Sequence, residues 1–321
     1  MRRSIIATIV AAGLVLAACG GDDDSESTGD QSSETSEATS GAEGSGDDGG
    51  ESGGDESGGA AEATDEGPPT DAAACARGKT VDDGVLTIAT GEPAFPPYVL
   101  NDETPEDGQG FEAAVAMTVA LELGFDAESV TWVRTAFDAA IAPGPKDFDF
   151  NLQQYTITDE RAEVVDFSDG YYRAPQAIFG LADAAAAGAS TLDDLKGLKI
   201  GVAAGTTSVT YVEEVIQPDA ELLIFNDNAS AKQALESNQI DAIVSDLPTA
   251  LFITAVEIEG TTVYGQIEGS GTDEFGLLLA KDSPLTECVD IALANMSASG
   301  ELDQITQEWM SEFTEAPVIS L

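Results

Sequence analysis

The chain has 321 residues and carries 12 lysine and arginine residues against 60 aspartates and glutamates, a formal net charge of −48. A protein this negative repels nucleic acid, and the absence of histidine excludes a histidine-rich metal site and a cysteine–histidine nucleophile. We therefore expect a strongly solvated protein with no cofactor, no metal and no nucleic-acid partner.

The first 18 residues have the pattern of an export signal. Met1-Arg2-Arg3 is positively charged, and the apolar run from Ile5 to Leu16 is too short to anchor a chain across a bilayer. The tetrapeptide Leu16-Ala17-Ala18-Cys19 resembles the lipobox of bacterial lipoproteins, which implies cleavage before Cys19 and acylation of that cysteine. The alternative is an ordinary secretory peptide with an accidental cysteine. We expect lipid anchoring at the outer face of the cell membrane.

Residues 19–74 are predicted to form a disordered tether. This segment consists almost entirely of Gly, Ser, Thr, Ala, Asp and Glu and has almost no large apolar side chain. It cannot bury enough apolar surface to offset the entropy lost on ordering, and its acidic residues repel one another.

The two cysteines beyond Cys19 are candidates for a disulfide. Cys75 lies at the start of the predicted folded region and Cys288 in a predicted C-terminal helix. Because an exported protein meets an oxidising environment, a bond between them is the simplest interpretation. Closing so long a loop would stabilise the fold by roughly 4 to 5 kcal/mol in the chain-entropy model.

Short β-branched runs alternate with helical stretches from residue 75 onward, which predicts an α/β fold with largely parallel sheets. About 245 residues are enough for two lobes. A first set of elements is predicted at Val85–Ala89 (strand), Phe111–Leu123 (helix), Val130–Val133 (strand), Ala136–Ala142 (helix) and Phe148–Leu152 (strand).

A second set follows a strand that begins with Gln176. Its members are a capped short helix at Ser190–Leu195, strands at Lys199–Val202, Leu222–Phe225 and Asp241–Ser245, a helix opened by Ala204–Ser208 and a helix at Ala229–Glu236. A strand at Phe275–Ala280 precedes helices at Leu285–Ser299 and Glu301–Phe313, which have no sheet of their own and are expected to pack on the first lobe. We assign residues 75–178 and 275–321 to lobe 1 and residues 179–274 to lobe 2, with two crossing strands and a cleft between the lobes.

Eight short motifs, in this order along the chain, resemble the family 3 solute-binding proteins of ABC transporters. They are Phe95-Pro96-Pro97-Tyr98, Gly110-Phe111-Glu112, Thr156-Ile157-Thr158-Asp159-Glu160-Arg161, Val165-Asp166-Phe167-Ser168 with Tyr171-Tyr172, Asp194-Leu195-Lys196-Gly197, Gly205-Thr206-Thr207, Asp241-Ala242 with Asp246, and Phe275-Gly276-Leu277. The resemblance implies the two-lobe type II periplasmic-binding-protein fold, in which each lobe is a mostly parallel sheet flanked by helices.

The resemblance also implies how the main-chain groups of an amino acid are bound. Arg161 is expected to take the ligand carboxylate, although an isolated arginine is more often part of a surface ion pair. Thr206 and Thr207 lie at a predicted helix start, where free N–H groups and the helix dipole favour an anion, and simple helix capping is their alternative role. Asp246, with Thr156 beside it, is expected to take the ammonium group; its alternative role is to cap the following helix.

The ligand side chain is expected to meet Phe95, Phe137, Gln154 and Glu92. The two aromatic residues could equally be core residues, and an exposed position is the ordinary expectation for Glu92. Gln153 and Gln154 replace the small residues common in the family, so their amides either narrow the pocket or bond to the ligand. Few cations are available besides Arg161, which favours a neutral polar or basic ligand over an acidic one.

The resulting hypothesis is a lipid-anchored, monomeric binding protein that captures an amino acid and delivers it to a membrane permease. It is not expected to be an enzyme. One alternative is a cleft-bearing enzyme such as a cyclohexadienyl dehydratase, with Glu92 or Asp159 as general acid. Another is a ligand-sensing lipoprotein that uses the same fold.

Overall fold

The computed structural model describes residues 71–271 and 273–321. Two β-sheets, each covered by helices, make up this part of the chain, and the predicted α/β class is confirmed. Its α-helices are α1 (Ala72–Ala76), α2 (Phe111–Glu122), α3 (Phe137–Ile141), α4 (Asp159–Ala162), α5 (Thr207–Thr210), α6 (Asn228–Glu236), α7 (Leu247–Phe252), α8 (Thr286–Ser299) and α9 (Glu301–Met310). Its strands are β1 (Leu86–Gly91), β2 (Val130–Thr135), β3 (Phe150–Asn151), β4 (Val165–Ala174), β5 (Gln176–Leu181), β6 (Ile200–Ala203), β7 (Leu223–Phe225), β8 (Ala242–Asp246), β9 (Thr261–Ile267), β10 (Asp273–Ala280) and β11 (Val318–Ile319).

The first sheet has the strand order β2-β1-β3-β10-β4. Strand β1 runs parallel to its neighbours β2 and β3 and is buried along its whole length, whereas β10 pairs antiparallel with β3 and β4. Side chains of α2, α8 and α9, such as Val119, Met296 and Met310, share one buried apolar cluster with β1 and β10. The expectation that the last two helices pack on the first lobe is therefore confirmed.

The second sheet has the strand order β11-β9-β5-β8-β6-β7. Strand β6 runs parallel to β7 and β8, while β5 pairs antiparallel with β8 and β9. Alternate residues of β5 and β8 enter two separate apolar clusters: Ile178 and Val244 belong to one, and Phe179 and Ile243 to the other. Both sheets are thus mixed, with parallel pairs among the βα units and antiparallel pairs where the chain passes between sheets.

The chain passes from the first sheet to the second at Pro175, between β4 and β5, and returns between β9 and β10. A further passage follows α9, because the short strand β11 pairs in parallel with β9 of the second sheet. The lobe boundaries proposed from the sequence stay a prediction. They assign residues 275–321 to lobe 1, although β11 pairs with a strand of the second sheet.

Sequence patterns missed elements in which polar residues interrupt the apolar alternation. Strands β4 (VDFSDGYYRA) and β9 (TTVYGQI) are not among the elements that the sequence predicts. The strand expected at Phe148–Leu152 is reduced to the two residues of β3, and the last helix ends at Met310 rather than Phe313.

Glycine 110 fixes the start of α2. Its φ angle is +112°, and a Cβ atom there would lie 2.4 Å from the Tyr98 carbonyl oxygen, so no other residue fits without displacing the backbone. That carbonyl accepts the otherwise unpaired N–H groups of Glu112 and Ala113. The loop containing Tyr98 is thereby attached to the first turn of α2, which positions Glu112.

The expected disulfide is present between Cys75 on α1 and Cys288 on α8, with a sequence separation of 213 residues. Both helices belong to the apolar cluster of the first sheet, so the bond ties the beginning of the described chain to its C-terminal part. The Nζ atom of Lys79 lies 3.2 Å from the Cys288 sulfur.

The predicted signal segment 1–18, the predicted acylation site Cys19 and nearly all of the predicted tether lie outside the described residues. None of the helices in the described part has the length and apolar composition needed to cross a bilayer.

We expect removal of the disulfide to lower the free energy of unfolding by up to roughly 5 kcal/mol, because the unfolded chain regains the entropy of a long open loop. The double variant Cys75→Ser/Cys288→Ser should show this loss in urea unfolding. A reducing agent should destabilise the wild type and leave the variant unchanged. Equal stability of the wild type and the variant would contradict the prediction, as would two free thiols in the intact mass of the unreduced wild type.

Candidate functional site

A cavity of about 190 Å³ lies between loops of the first sheet and loops of the second. All nine residues predicted from the sequence to bind the ligand line this one cavity: Glu92, Phe95, Phe137, Gln154, Thr156, Arg161, Thr206, Thr207 and Asp246. Gln153, Ser208, Asn226, Asp227, Asn228 and Ser245 are among its further polar residues. The structure brings the predicted residues together, while their individual roles stay predictions.

Arg161 lies on the short helix α4, which begins after Thr158. The Thr158 hydroxyl accepts a 3.2 Å hydrogen bond from the Arg161 backbone N–H and so caps the helix. The guanidinium donates from Nη1 to the Thr156 carbonyl (2.6 Å) and from Nη2 to the Gly205 carbonyl (2.8 Å). Because Thr156 follows the first sheet and Gly205 follows β6 of the second, this one side chain links the two halves of the cavity.

The Arg161 guanidinium has no carboxylate partner within the described part of the chain. The ion pairs found there use Arg134, Arg173 and three lysines instead. The side chain is nevertheless buried, with the residue only 8% exposed, and lies over the Phe137 ring at 5.4 Å from its centroid. Burial lowers the pKa of the guanidinium, and Tyr155, Asp246 and Asp273 act in the opposite direction. The surface ion pair considered from the sequence is thus not what Arg161 forms.

The start of α5 faces the same cavity. Gly205 has a φ angle of +70°, in the left-handed region that favours glycine, and the Asp138 carboxylate lies close to it. The Thr206 hydroxyl donates to the Ala203 carbonyl and the Thr207 hydroxyl donates to Asp273, so neither caps the helix. No residue in the described chain accepts from the backbone N–H groups of Thr206 and Thr207, which leaves these donors for an anion.

Asp246 occupies the N-cap position of α7, yet its carboxylate makes no capping hydrogen bond. It instead accepts a 2.7 Å hydrogen bond from the side-chain amide of Gln176, which also donates to Asp273 at 3.2 Å. Gln176 is fully buried, and its amide oxygen accepts from Ser208. Burial raises the pKa of Asp246 to about 7, and the charge of Asp273 acts in the same direction. Of these two acids, Asp246 lines the cavity and offers a carboxyl group to a cation, whereas Asp273 is not among the lining residues.

A third buried acid, Glu112, supports the cavity from behind. Its carboxylate accepts from the backbone N–H of Gln154 (2.8 Å), from the Gln154 side-chain amide (2.5 Å) and from the Tyr171 hydroxyl. Gln154 has a φ angle of +53°, in the left-handed region that non-glycine residues seldom adopt. Glu112 therefore stabilises an unusual backbone conformation at the cavity wall.

The remaining predicted residues, Glu92, Phe95 and Phe137, also line the cavity. Phe137 stacks on Tyr155 with ring centroids 4.7 Å apart, and the Lys232 ammonium lies 5.4 Å from the Phe95 ring centroid. Glu92 is exposed, as its ordinary interpretation predicts, but it also belongs to the lining.

Sequence reasoning gave no role to Glu112, Gln176 or Asp273, although each left a signal. Glu112 has the helical spacing of Val115, Ala116 and Val119, which are all buried, so an acid occurs on an otherwise apolar face. Gln176 and Asp273 are polar residues at the first position of buried, largely apolar strands. Both strands begin where the chain passes between the sheets, which is where the cavity lies.

Residues 86–312 match the family model described as bacterial extracellular solute-binding proteins, family 3. The chain belongs to this family. The match begins at β1 and extends beyond the end of α9, so it covers every described strand except β11, and it covers the cavity between the sheets.

Individual relatives agree with this membership. The chain is 30% identical to an L-cystine-binding protein of Escherichia coli strain K12, over 72% of this chain and 84% of the relative. It is also similar to a solved structure described as an ancestral arginine-binding protein bound to glutamine, with a TM-score of 0.61 and 33% identity over 71% of this chain and 98% of that one. A third relative is an ancestral amino acid-binding protein described as a precursor of cyclohexadienyl dehydratase, with a TM-score of 0.59, 31% identity, and coverage of 70% and 95%. These similarities confirm the two-lobe type II binding-protein fold.

We expect Asp246 to make the ligand-free protein less stable as the pH rises from about 4 to about 7. Within this window the folded protein keeps a proton on Asp246 that the unfolded chain has already released, so the free energy of unfolding falls with rising pH. In Asp246→Asn this contribution is absent. Its unfolding midpoint, measured against that of the wild type at several pH values, should therefore rise across the window.

Asp159→Asn, on the exposed surface of α4, controls for the loss of one negative charge. A difference between Asp246→Asn and the wild type that does not change with pH would contradict the prediction.

Proposed function

We propose that this family member is an extracytoplasmic substrate-binding protein of an ABC importer that captures an amino acid and delivers it to a membrane permease. The observation that carries the proposal is the buried Arg161 guanidinium, which lines the cavity without a carboxylate partner in the described chain. A buried charge without a counter-charge is costly, so this position favours an anionic ligand group.

The two charged groups common to all amino acids fit the two ends of this arrangement. A ligand carboxylate can accept from Arg161 and from the free N–H groups of Thr206 and Thr207, whose position at a helix start also favours an anion. The ligand ammonium can donate to Asp246 and to groups near Thr156. Hydrogen bonds to charged partners contribute about 1.5 to 3 kcal/mol each, so both ends together support micromolar or tighter binding.

The rest of the lining supports a neutral polar or basic ligand. Arg161 is the one cationic side chain among the described residues that line the cavity, whereas Glu92, Asp227 and Asp246 are acidic. A second ligand carboxylate would therefore meet repulsion. Relatives include binding proteins for L-arginine, glutamine and histidine, and also for L-cystine and glutamate, so the preference rests on the charges of the lining.

Delivery to a permease and anchoring by lipid rest on the family and on the sequence. Relatives include the glutamine-binding protein of a Bacillus subtilis ABC transporter. The lipobox-like tetrapeptide ending at Cys19 supports acylation, and an acidic tether would then let the folded part move between the membrane surface and the substrate. We propose that it acts as a monomer.

An enzymatic function of the dehydratase type is the alternative suggested by one relative. Of the two acids considered for it, Asp159 is exposed and absent from the cavity lining, and Glu92 is exposed at the rim. Neither has the buried environment that tunes a general acid. Turnover of prephenate or arogenate by the purified protein would revive this alternative.

We expect the ligand to be found by thermal shift with the 20 amino acids, because a ligand at 100 times its dissociation constant stabilises the folded state by about 2.7 kcal/mol. Arg161→Ala should lower the affinity for the best ligand at least about 100-fold, since two charge-assisted hydrogen bonds are lost. Calorimetric titration of both proteins measures the difference.

Arg173→Ala removes an exposed arginine on β4 and provides the matched control. Retained affinity in Arg161→Ala would show that the carboxylate binds elsewhere. No thermal shift with any amino acid would refute amino acid binding as a whole.

We also expect Cys19→Ser to release the protein from the membrane, because the acyl chains would have no attachment point. In a bacterial expression host that processes lipoproteins, the wild type should sediment with membranes and the variant should appear in the soluble exported fraction. Equal distribution of the two proteins would contradict lipid anchoring. Amino acid binding by the folded part should be the same in both.

A further inference from the structure

Glu112 is a buried carboxylate that accepts hydrogen bonds from a residue of the cavity lining, Gln154, and from a core residue, Tyr171. The residue is 1% exposed and accepts two N–H groups of Gln154 and the hydroxyl of Tyr171. Tyr171 is itself buried, and its ring packs against Phe111 and Phe275. The carboxylate is therefore fixed in place by the core of the first sheet, while its other contacts hold Gln154.

The contacts with Glu112 determine which way the Gln154 amide faces. An ionised carboxylate only accepts hydrogen bonds, so the end of the amide that meets it must be the NH2 group. The backbone N–H of Gln154 is bound to the same carboxylate. No described residue donates to the amide oxygen, and Gln154 lines the cavity. The amide oxygen is thus an acceptor without a donor among the described residues, while the amide nitrogen uses one of its two N–H groups on Glu112.

We propose that Glu112 is a positioning residue for ligand selection: it holds Gln154 so that the amide oxygen is offered to the ligand side chain, which must then carry an N–H donor. This inference rests on the proposed amino acid-binding function and narrows its ligand class. Amino acids with amide, ammonium or guanidinium side chains are selected, and those whose side chains are apolar or only accept hydrogen bonds are rejected.

Other residues of the cavity lining also favour a ligand side chain that carries N–H donors. Glu92 adds a carboxylate to the lining, and the side chains of Asn226 and Asn228 make no hydrogen bond to another described residue. A ligand side chain without donors would leave the Gln154 oxygen unpaired on closure of the cavity. An unpaired polar group of this kind lowers affinity, and the corresponding loss is about 5- to 100-fold.

The experiment uses two pairs of probes whose side chains differ by one non-hydrogen atom. L-Glutamine is compared with L-glutamate γ-methyl ester, which has the same charge and no side-chain N–H, and L-lysine is compared with L-norleucine. Dissociation constants are measured by calorimetry at about pH 8.5, above the pKa of about 7 to which burial raises Glu112, so that this carboxylate is ionised. The wild type should prefer the donor-bearing member of the pair at least about 10-fold.

Two variants test the role of Glu112 itself. In Glu112→Gln the new side-chain amide can donate, so the Gln154 amide can turn and offer its NH2 group, and the glutamine-to-ester preference should fall at least about 5-fold. In Gln154→Met the backbone N–H to Glu112 is kept while the amide is lost, and the preference should fall similarly. Glu122→Gln, on the same helix but bonded to Asn295, is the matched control and should keep the wild-type preference.

The outcomes separate this inference from the proposed function. If the wild type binds amino acids but shows no preference for donors in either pair, the selection rule is wrong and amino acid binding stands. If the preference exists but survives in both Glu112→Gln and Gln154→Met, Glu112 has no positioning role. If the wild type binds no amino acid, the inference and the proposed function are both overturned. A variant that only loses stability binds both probes of a pair more weakly by the same factor. The ratio of their two dissociation constants therefore does not change.

Discussion

The interaction on which the rest of the site depends is the pair of hydrogen bonds from Arg161 to the carbonyls of Thr156 and Gly205. These bonds join loops of two different sheets through one cation that has no ion-pair partner among the described residues. They use only part of the five N–H donors of a guanidinium and supply no neutralising charge. The two carbonyls thus stabilise the buried guanidinium, which keeps its positive charge and further N–H donors for an anion.

The surroundings of Arg161 are arranged to keep that charge available. The nearby acids Asp246 and Asp273 attract it from a distance but are bonded to Gln176, not to the guanidinium. Burial raises the pKa of both carboxyl groups, which means that their ionised forms are destabilised in the ligand-free state. A ligand ammonium group would stabilise the ionised carboxylates, while the ligand carboxylate would neutralise Arg161. One zwitterion can thus satisfy both sides of the cavity.

Much of the site could be predicted because its residues occur in short local motifs. Arg161 follows a Thr-rich turn, Thr206 and Thr207 follow a strand and a glycine, and Asp246 ends a strand. Glu112, Gln176 and Asp273 could not be assigned roles because their side-chain partners are 31 to 97 residues distant in sequence. The overlooked strands β4 and β9 have a similar explanation, since their pairing with β10 and β5 compensates for a weak local pattern. Residues in local motifs could therefore be predicted from the sequence, whereas the long-range hydrogen-bond network could not.

The central claim is that Arg161 binds the α-carboxylate of an amino acid. It is tested most directly by a cycle that combines Arg161→Ala with replacement of that carboxylate by a carboxamide in the tightest-binding amino acid. Calorimetry gives four dissociation constants. We predict that the wild type distinguishes acid from amide at least about 100-fold and that the variant hardly distinguishes them, a coupling of about 2 kcal/mol or more. Independent effects of the two changes, with a coupling below about 0.5 kcal/mol, would contradict this account.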